Sequence, residues 1–146
     1  MARLCASGAD LCQVDRVWWI EDVERRLGFS YPRSFRALVT RYLFRSLEVG
    51  SVEIFANLGD GSNEDVTVAP FRDRYMSPWL IAHKLLQFGR PASGSYDPVC
   101  FDFGEEIAEP SVVRLDHEDI LQERSEVHRQ VLAPNFLALL QVANDP

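Results

Sequence analysis

The stretch YPRSFRALVTRYLFR, residues 31–45, carries the strongest periodic pattern in the chain. Its apolar side chains recur at intervals of three and four residues, which places them on one face of a helix. These side chains are Phe35, Leu38, Val39, Tyr42 and Leu43. Pro32 suits the first turn of a helix, where its missing N–H is not needed. The pattern predicts a helix that begins near Pro32, runs through Leu43 and buries this face in a core.

A second amphipathic segment, VWWIEDVERRLGF at residues 17–29, precedes this helix. Its apolar side chains share one face at about 3.6 residues per turn, namely Ile20, Val23 and Leu27. Asp15 is a suitable N-cap, and Gly28 fits the left-handed position that ends a helix. Because the link between the two segments is short, we expect the two helices to pack as a hairpin. Residues 1–14 show no periodicity and are expected to form a loose tail.

Beyond residue 50 the pattern changes to short apolar runs between turn residues, which is typical of strands. The runs predicted as strands are SVEIFAN (51–57), VTVAPF (66–71), KLLQF (84–88), PVCFDF (98–103) and VVRL (112–115). Pro78 is expected to interrupt any long helix in the region before KLLQF, and LIAHKLLQF (80–88) is compatible with either a helix or a strand. Asn135 is a plausible N-cap for a short closing helix over NFLALL. The order predicts an α+β fold: one domain over residues 15–146, with a mainly antiparallel sheet backed by the N-terminal helical hairpin and the short C-terminal helix.

The charge balance limits the classes of partner. The 146 residues carry a formal net charge of −7. Residues 1–50 hold eight Arg and six acids, which gives +2, whereas residues 51–146 hold six Arg, one Lys and sixteen acids, which gives −9. Binding to phosphates depends on Lys and Arg, so the acidic second half disfavours nucleic acid, and it equally disfavours an anionic membrane surface. A basic protein partner is the natural electrostatic match. The alternative, which stays open at this point, is that the acidity only keeps the protein soluble.

Other sequence features indicate a cytoplasmic protein with neither cofactor nor metal. No apolar run approaches the ~18 to 20 residues that cross a bilayer, and the first residues lack the apolar region of a signal peptide. The cysteines, Cys5, Cys12 and Cys100, are irregularly spaced, which argues against a disulfide framework. The sequence contains no CxxC or HxxxH pattern and no glycine-rich phosphate loop.

The segment YDPVCFDF, residues 96–103, leaves two interpretations open. As part of a sheet, its alternation predicts one apolar inner face and leaves Cys100 on the other face. As an active site, Cys100 would be a nucleophile with His117 as its base. Asp102 or Asp116 would then orient the histidine. Since no helix N-terminus or glycine-built oxyanion pocket is predicted beside Cys100, the segment is more typical of a structural strand.

Four segments follow one another in a characteristic order. They are IEDVERRLGFSYPRSFRALV, FGRPASGSYDPVCFDF, VVRLDHEDIL and NFLALL, and they span roughly residues 20–142. In this order they resemble the SUKH superfamily, which groups bacterial toxin-immunity proteins with a fungal regulator of cell-wall assembly. The resemblance implies an α+β fold without enzymatic activity. In bacterial members it implies a small protein that binds and neutralises a cognate toxin.

We therefore predict a non-catalytic binding protein whose partner is a basic toxin domain such as a nuclease. The acids predicted to contact it are Asp60, Glu64, Asp65, Glu105, Glu106, Asp116, Glu118 and Asp119. Trp18 and Trp79 are candidate aromatic anchors, because aromatic side chains often dominate the energy of an interface. Two alternatives stay open: a regulatory or scaffold module with a non-toxin partner, and a cysteine-dependent hydrolase that uses Cys100 and His117.

Overall fold

The computed structural model describes residues 12–13, 18–59, 61–62, 64–104 and 109–142. The helices in these ranges are α1 (Trp18–Leu27), α2 (Arg33–Arg41), α3 (Ala69–Arg72), α4 (Met76–Ala82), α5 (His117–Leu121) and α6 (Phe136–Val142). The strands are β1 (Cys12–Gln13), β2 (Tyr42–Leu43), β3 (Ser46–Val49), β4 (Val52–Phe55), β5 (Leu85–Pro91), β6 (Val99–Asp102), β7 (Ser111–Leu115) and β8 (Arg129–Ala133).

The larger sheet is an antiparallel meander of six strands, β3 to β8, in which each strand pairs with the next one along the chain. β1 and β2 form a separate two-stranded pair. The helices α1 and α2 precede the larger sheet, and α6 follows it. The predicted α+β fold with a mainly antiparallel sheet is confirmed.

The first core lies between one face of this sheet and the helices α1, α2 and α6. Phe35 of α2 is at its centre and has no exposed surface. Its ring centroid lies 5.2 to 5.4 Å from the rings of Tyr31, Phe88, Phe101 and Phe136. These contacts join α2, two central strands and the closing helix. The two helices of the hairpin contact each other through Arg36 of α2, which pairs with Glu24 of α1 at 3.2 Å, and both contribute to the first core, so the predicted packing of the hairpin is confirmed.

A second core covers the opposite face of the sheet, where α4 and α5 pack. Its buried members are Met76, Leu80, Leu85, Cys100, Val113, Leu115 and Ile120. The sequence left the conformation of residues 72–88 open, and Pro78 was expected to interrupt any long helix there. Pro78 instead lies in the first turn of α4, where its missing N–H breaks no helical hydrogen bond. The central strands β5 to β7 are consequently covered on both faces.

The predicted helix through Leu43 is wrong beyond Arg41. Tyr42 and Leu43 instead form β2, which pairs with β1. The buried side chain of Asn57 stabilises this change of direction. Its Nδ2 donates to the carbonyl oxygens of Val39 at 3.1 Å and Tyr42 at 2.6 Å, so carbonyls at the helix end receive partners from a distant residue.

The segment VTVAPF, predicted as a strand, is also different in the structure. It contains turns followed by the short helix α3. The carbonyl of Asp65 accepts hydrogen bonds from the backbone N–H groups of Val68 at 3.0 Å and Ala69 at 2.8 Å. These local bonds bend the chain where an extended strand was expected.

The N-terminal boundary remains a prediction. Cys12 and Gln13, which fall in the predicted tail, are paired with β2. Residues 1–11 and 14–17, including the proposed N-cap Asp15, lie outside the described residues. At the other end of α1, Gly28 has a φ of +83°, as the sequence predicted. None of the described helices is long and apolar enough to cross a membrane.

Candidate functional site

Helix α5 is fixed at its N-terminus by Asp116. The backbone N–H groups of Glu118 and Asp119 donate to Asp116 Oδ1 at 2.9 and 3.2 Å. This is the N-cap arrangement that satisfies donors left unpaired in the first turn. The half-buried Asp116 therefore has a structural role in starting the helix.

Asp119 fixes the loop that leads from α5 to β8. Its side chain is only 3% exposed and accepts hydrogen bonds from Arg124 Nη1 and, at 2.9 Å, from the backbone N–H of His128. The bond from His128, followed by the Arg124 guanidinium, holds the pKa of Asp119 below its ordinary value although burial acts in the opposite direction. The loop is thus tied to the helix by a charged group inside the fold.

Asp97 connects the β5–β6 loop to the start of α5. It accepts hydrogen bonds from Arg114 Nε at 2.8 Å, from His117 Nδ1 at 2.6 Å and from the backbone N–H of His117 at 3.0 Å. Burial alone would raise the pKa of Asp97, but the bonds from His117 and Arg114 outweigh it and lower the pKa.

Asp97, Asp116 and His117 place possible metal-ligand atoms within 4.8 Å of one another. The Arg114 guanidinium already lies against Asp97 and compensates its charge. A divalent cation would have to compete with this guanidinium. The arrangement is therefore better explained as an ion-pair network that fixes α5 than as a metal centre.

The exposed acids of this region form what we call the α5 acidic surface, defined as Glu118, Glu123 and Glu126. All are exposed, on α5 and on the loop that Asp119 holds. Among the described residues, no Arg, Lys or His nitrogen lies within 4.0 Å of these carboxylates. Leu121 at the end of α5 is 48% exposed. An apolar side chain among uncompensated charges is a composition found in protein interfaces.

The structure corrects the predicted position of two acids. Asp65 has no exposed surface and Asp119 is 2% exposed, so neither belongs to an acidic surface. Asp65 accepts hydrogen bonds from the backbone N–H of Gly59 at 2.8 Å and from both the backbone N–H and the hydroxyl of Thr67 at 2.9 and 2.6 Å. Each buried carboxylate accepts several hydrogen bonds from its own loop and so fixes the conformation of that loop, because a buried charge needs several donors.

The other predicted acids differ in availability. Asp60, Glu105 and Glu106 lie outside the described residues. Glu64 is exposed but forms an ion pair with Arg90 at 3.0 Å. Glu118 alone is exposed and without a cation among the predicted acids that the structure describes. A binding role for any of them remains a prediction.

The two candidate aromatic anchors also differ. Trp79 is half-buried against the second core, and its ring stacks on His83 with centroids 3.9 Å apart. Part of its surface is therefore used by the fold. Trp18 is the first residue of α1, but its side chain lies outside what the structure describes.

The hypothesis of a cysteine nucleophile finds no geometric support. Cys100 has no exposed surface and packs in the second core, and burial raises the pKa of its thiol. His117 Nδ1 bonds to Asp97, and Asp102 pairs with Arg129. The residues proposed to act together thus serve separate structural contacts.

Sequence analysis missed Glu123 and Glu126. They lie in the run QERSEVH, which has no apolar periodicity and therefore predicts only a polar loop. The backbone of Glu123 is left-handed, with a φ of 54°, and among the described non-glycine residues only Lys84, with a φ of 56°, shares this conformation. Non-glycine residues rarely adopt this left-handed conformation, and a periodicity analysis does not detect it.

Comparison with protein-family models identifies one family. A search of curated proteins found no match. A family model, described as the SMI1 / KNR4 family (SUKH-1), matches residues 18–141. The match covers both helices of the hairpin, the six-stranded sheet and nearly all of α6. The chain therefore belongs to the SMI1/KNR4 family, SUKH-1, of the SUKH superfamily.

Proposed function

We propose that this chain is an immunity protein that neutralises a cognate bacterial toxin in the cytoplasm by binding it directly. Membership of the SUKH family supports a non-catalytic interaction module with a protein partner. The partner in this proposal is a basic toxin domain, such as a nuclease, and its docking site is the α5 acidic surface.

The conformation of Glu123 is the observation that carries the proposal. It directly follows the C-cap residue of α5, Gln122, at the position where helices commonly end in a left-handed glycine. A residue with a side chain costs roughly 1–2 kcal/mol in this conformation. Stability alone would favour glycine, and a carboxylate used in binding would offset this cost. Lys84 has the same conformation directly after the C-cap residue of α4, so the exposed and uncompensated charge of Glu123 is the second observation on which its role depends.

Electrostatics supports a basic partner. Glu118, Glu123 and Glu126 belong to residues 51–146, the segment that carries a net charge of −9. Exposed charges act over a Debye length of about 8 Å at physiological ionic strength. Uncompensated carboxylates on a helix and loop held in place by Asp119 would therefore steer a basic surface and raise its association rate.

The first experiment is affinity purification of the tagged chain from its own cells, followed by identification of stoichiometric partners. We expect a basic toxin domain, and co-expression of this chain should restore growth to cells that express that toxin. Recovery of a housekeeping enzyme or a cell-wall factor instead would contradict the immunity role and favour the regulatory module.

A charge-reversal variant tests the docking site. Replacing Glu118, Glu123 and Glu126 by Lys should slow association with the captured toxin at least tenfold at low salt and leave the dissociation rate less affected. The matched control replaces three exposed acids elsewhere, E21K, D22K and E48K, with the same change in net charge. Equal slowing by both variants would mean that the α5 acidic surface is not the docking site.

A further inference from the structure

A cleft of about 300 Å³ opens between the β5–β6 loop and the start of α4. Phe55 and Met76 provide apolar walls, and Tyr96 lies at the rim with 74% of its surface exposed. Gln87 and Arg90 of β5 bring polar groups to it, and the charged side chains Arg72 and Asp73 also line it. The cleft is separate from the α5 acidic surface, since neither shares a residue with the other.

Gln87 is unusual among the buried polar residues. It is only 6% exposed, yet its side chain makes a single hydrogen bond within the described residues. That bond is long, from Nε2 to the carbonyl of Gly89 at 3.4 Å. Its Oε1 has no partner among those residues. Asn57 and Asp65, by contrast, each make at least three hydrogen bonds. A buried polar atom without a partner is costly, and such an atom in a native structure calls for an explanation.

Hydrogen-bond donors lie in the same cleft. Arg90 uses three of its five N–H groups on Glu53 and Glu64, at 3.3, 3.3 and 3.0 Å, which leaves two N–H groups and a compensated charge. Ser95 Oγ accepts from the backbone N–H of Asp97 at 3.2 Å, so its own hydroxyl hydrogen is available. The cleft therefore offers an acceptor and donors together.

We propose that this cleft binds an amide group of a protein partner, either an Asn or Gln side chain or a main-chain peptide. The N–H of that amide donates to Gln87 Oε1, and its carbonyl oxygen accepts from Arg90 or Ser95. Tyr96 packs against the inserted group at the rim. The choice of a protein as the source of the amide rests on the proposed function, whereas the contacts in the cleft do not depend on it.

Charged ligands fit this set of groups less well. A carboxylate has only acceptors and would leave Gln87 Oε1 unpaired in the buried floor. A guanidinium has only donors, so it would leave the remaining N–H groups of Arg90 and the hydroxyl of Ser95 without an acceptor. The carboxylate of Asp73 also lines the cleft, but its Oδ1 already accepts hydrogen bonds from the backbone N–H groups of Tyr75 and Met76, both at 2.8 Å. An amide supplies a donor and an acceptor without charge, so it satisfies both kinds of group.

The test uses the full ¹⁵N-labelled chain and small probes, followed by NMR. Acetamide represents a side-chain amide and N-methylacetamide a peptide group; acetate and methylguanidinium are the charged comparisons. We expect saturable shifts of the Gln87 side-chain NH₂ and of the Ser95 and Tyr96 backbone signals with one or both amides. Stronger binding of either amide identifies the source. No saturable shift with the amides, or equal shifts with acetate or methylguanidinium, would overturn the proposal.

Two variants separate binding from folding. Gln87→Met should weaken amide binding at least tenfold, whereas Gln141→Met, at an exposed glutamine of α6, should not change it. Because Gln87→Met removes an unpaired buried amide, its Tm should be equal to or above that of the parent. A clearly lower Tm would show that Gln87 serves the fold, and this would count against the proposal. These measurements involve no toxin, so their failure would leave the immunity role standing.

Discussion

Asn57 offers the sharpest test of how this fold is held together. Its Oδ1 accepts from the backbone N–H of Phe44 at 2.9 Å, and its Nδ2 donates to the carbonyls of Val39 and Tyr42. The side chain has no exposed surface. Asn57→Ala would remove the partner of three backbone groups at the junction between α2 and β3.

The expected loss follows from those three groups. Leaving a buried donor or acceptor unsatisfied costs about 1–3 kcal/mol, and water entering the small space would offset part of it. We expect Asn57→Ala to lower the free energy of unfolding by about 4 kcal/mol, a large fraction of the roughly 5–15 kcal/mol typical of a domain. Asn57→Asp should be destabilised as well, because a carboxylate oxygen would then face the carbonyl oxygens of Val39 and Tyr42. The stability of this variant should recover partly in acid, where the protonated carboxyl group can donate a hydrogen bond.

Urea unfolding followed by circular dichroism measures these values, provided that the slope of free energy against urea is the same for each variant. Asn135→Ala is the matched control, since within the described residues the side chain of Asn135 accepts a single hydrogen bond, from the backbone N–H of Ala138 at 2.8 Å, as the N-cap of α6. Its loss should be about 1 kcal/mol. A loss at Asn57 no greater than that at Asn135 would refute the role given to Asn57.

Three further predictions concern single positions. Gly89→Ala should lower the free energy of unfolding by about 1–3 kcal/mol in urea, because the new Cβ would lie 2.5 Å from the carbonyl oxygen of Glu53; a neutral effect would contradict this contact. Asp97 has a lowered pKa in the folded state, so its contribution to stability is complete above the ordinary carboxyl pKa of about 4 and is lost as the pH falls through the folded-state pKa. Asp97→Asn should therefore flatten the fall in stability between neutral and acid pH, and an unchanged pH profile of stability would contradict this role of Asp97. Glu123→Gly should raise the free energy of unfolding by up to about 1 kcal/mol while it slows capture of the toxin, and a variant that is more stable and binds equally well would remove Glu123 from the docking site.

Local patterns of apolar residues predicted the helix α2 and the strands β5, β6 and β7. The stripe of α2 faces one core, whereas the short apolar runs of the three strands are buried because both faces of the sheet are covered. The end of α2 could not be predicted in this way. The bonds that stabilise it come from Asn57, sixteen residues beyond Arg41, and a spacing pattern contains no information about such a contact.

The candidate site was predicted only in its general character. The net charge indicated an acidic surface, but the sequence alone does not show which Asp and Glu residues are exposed and which are buried. Asp65 and Asp119 are buried because backbone N–H groups from loops converge on them, and this convergence is a property of the folded chain. Glu118 was assigned correctly to an exposed position, whereas Glu123 required knowledge of its φ angle.

The buried position of Asp119 has a consequence for the divergence of partner specificity. The contacts that hold the loop after α5 are made on its inner side, by Arg124 and the backbone of His128. Glu118, Glu123 and Glu126 point to solvent and are not needed for those contacts. Paralogous genes could therefore exchange these outer positions through a few codon changes and acquire a different partner without losing the scaffold that presents them.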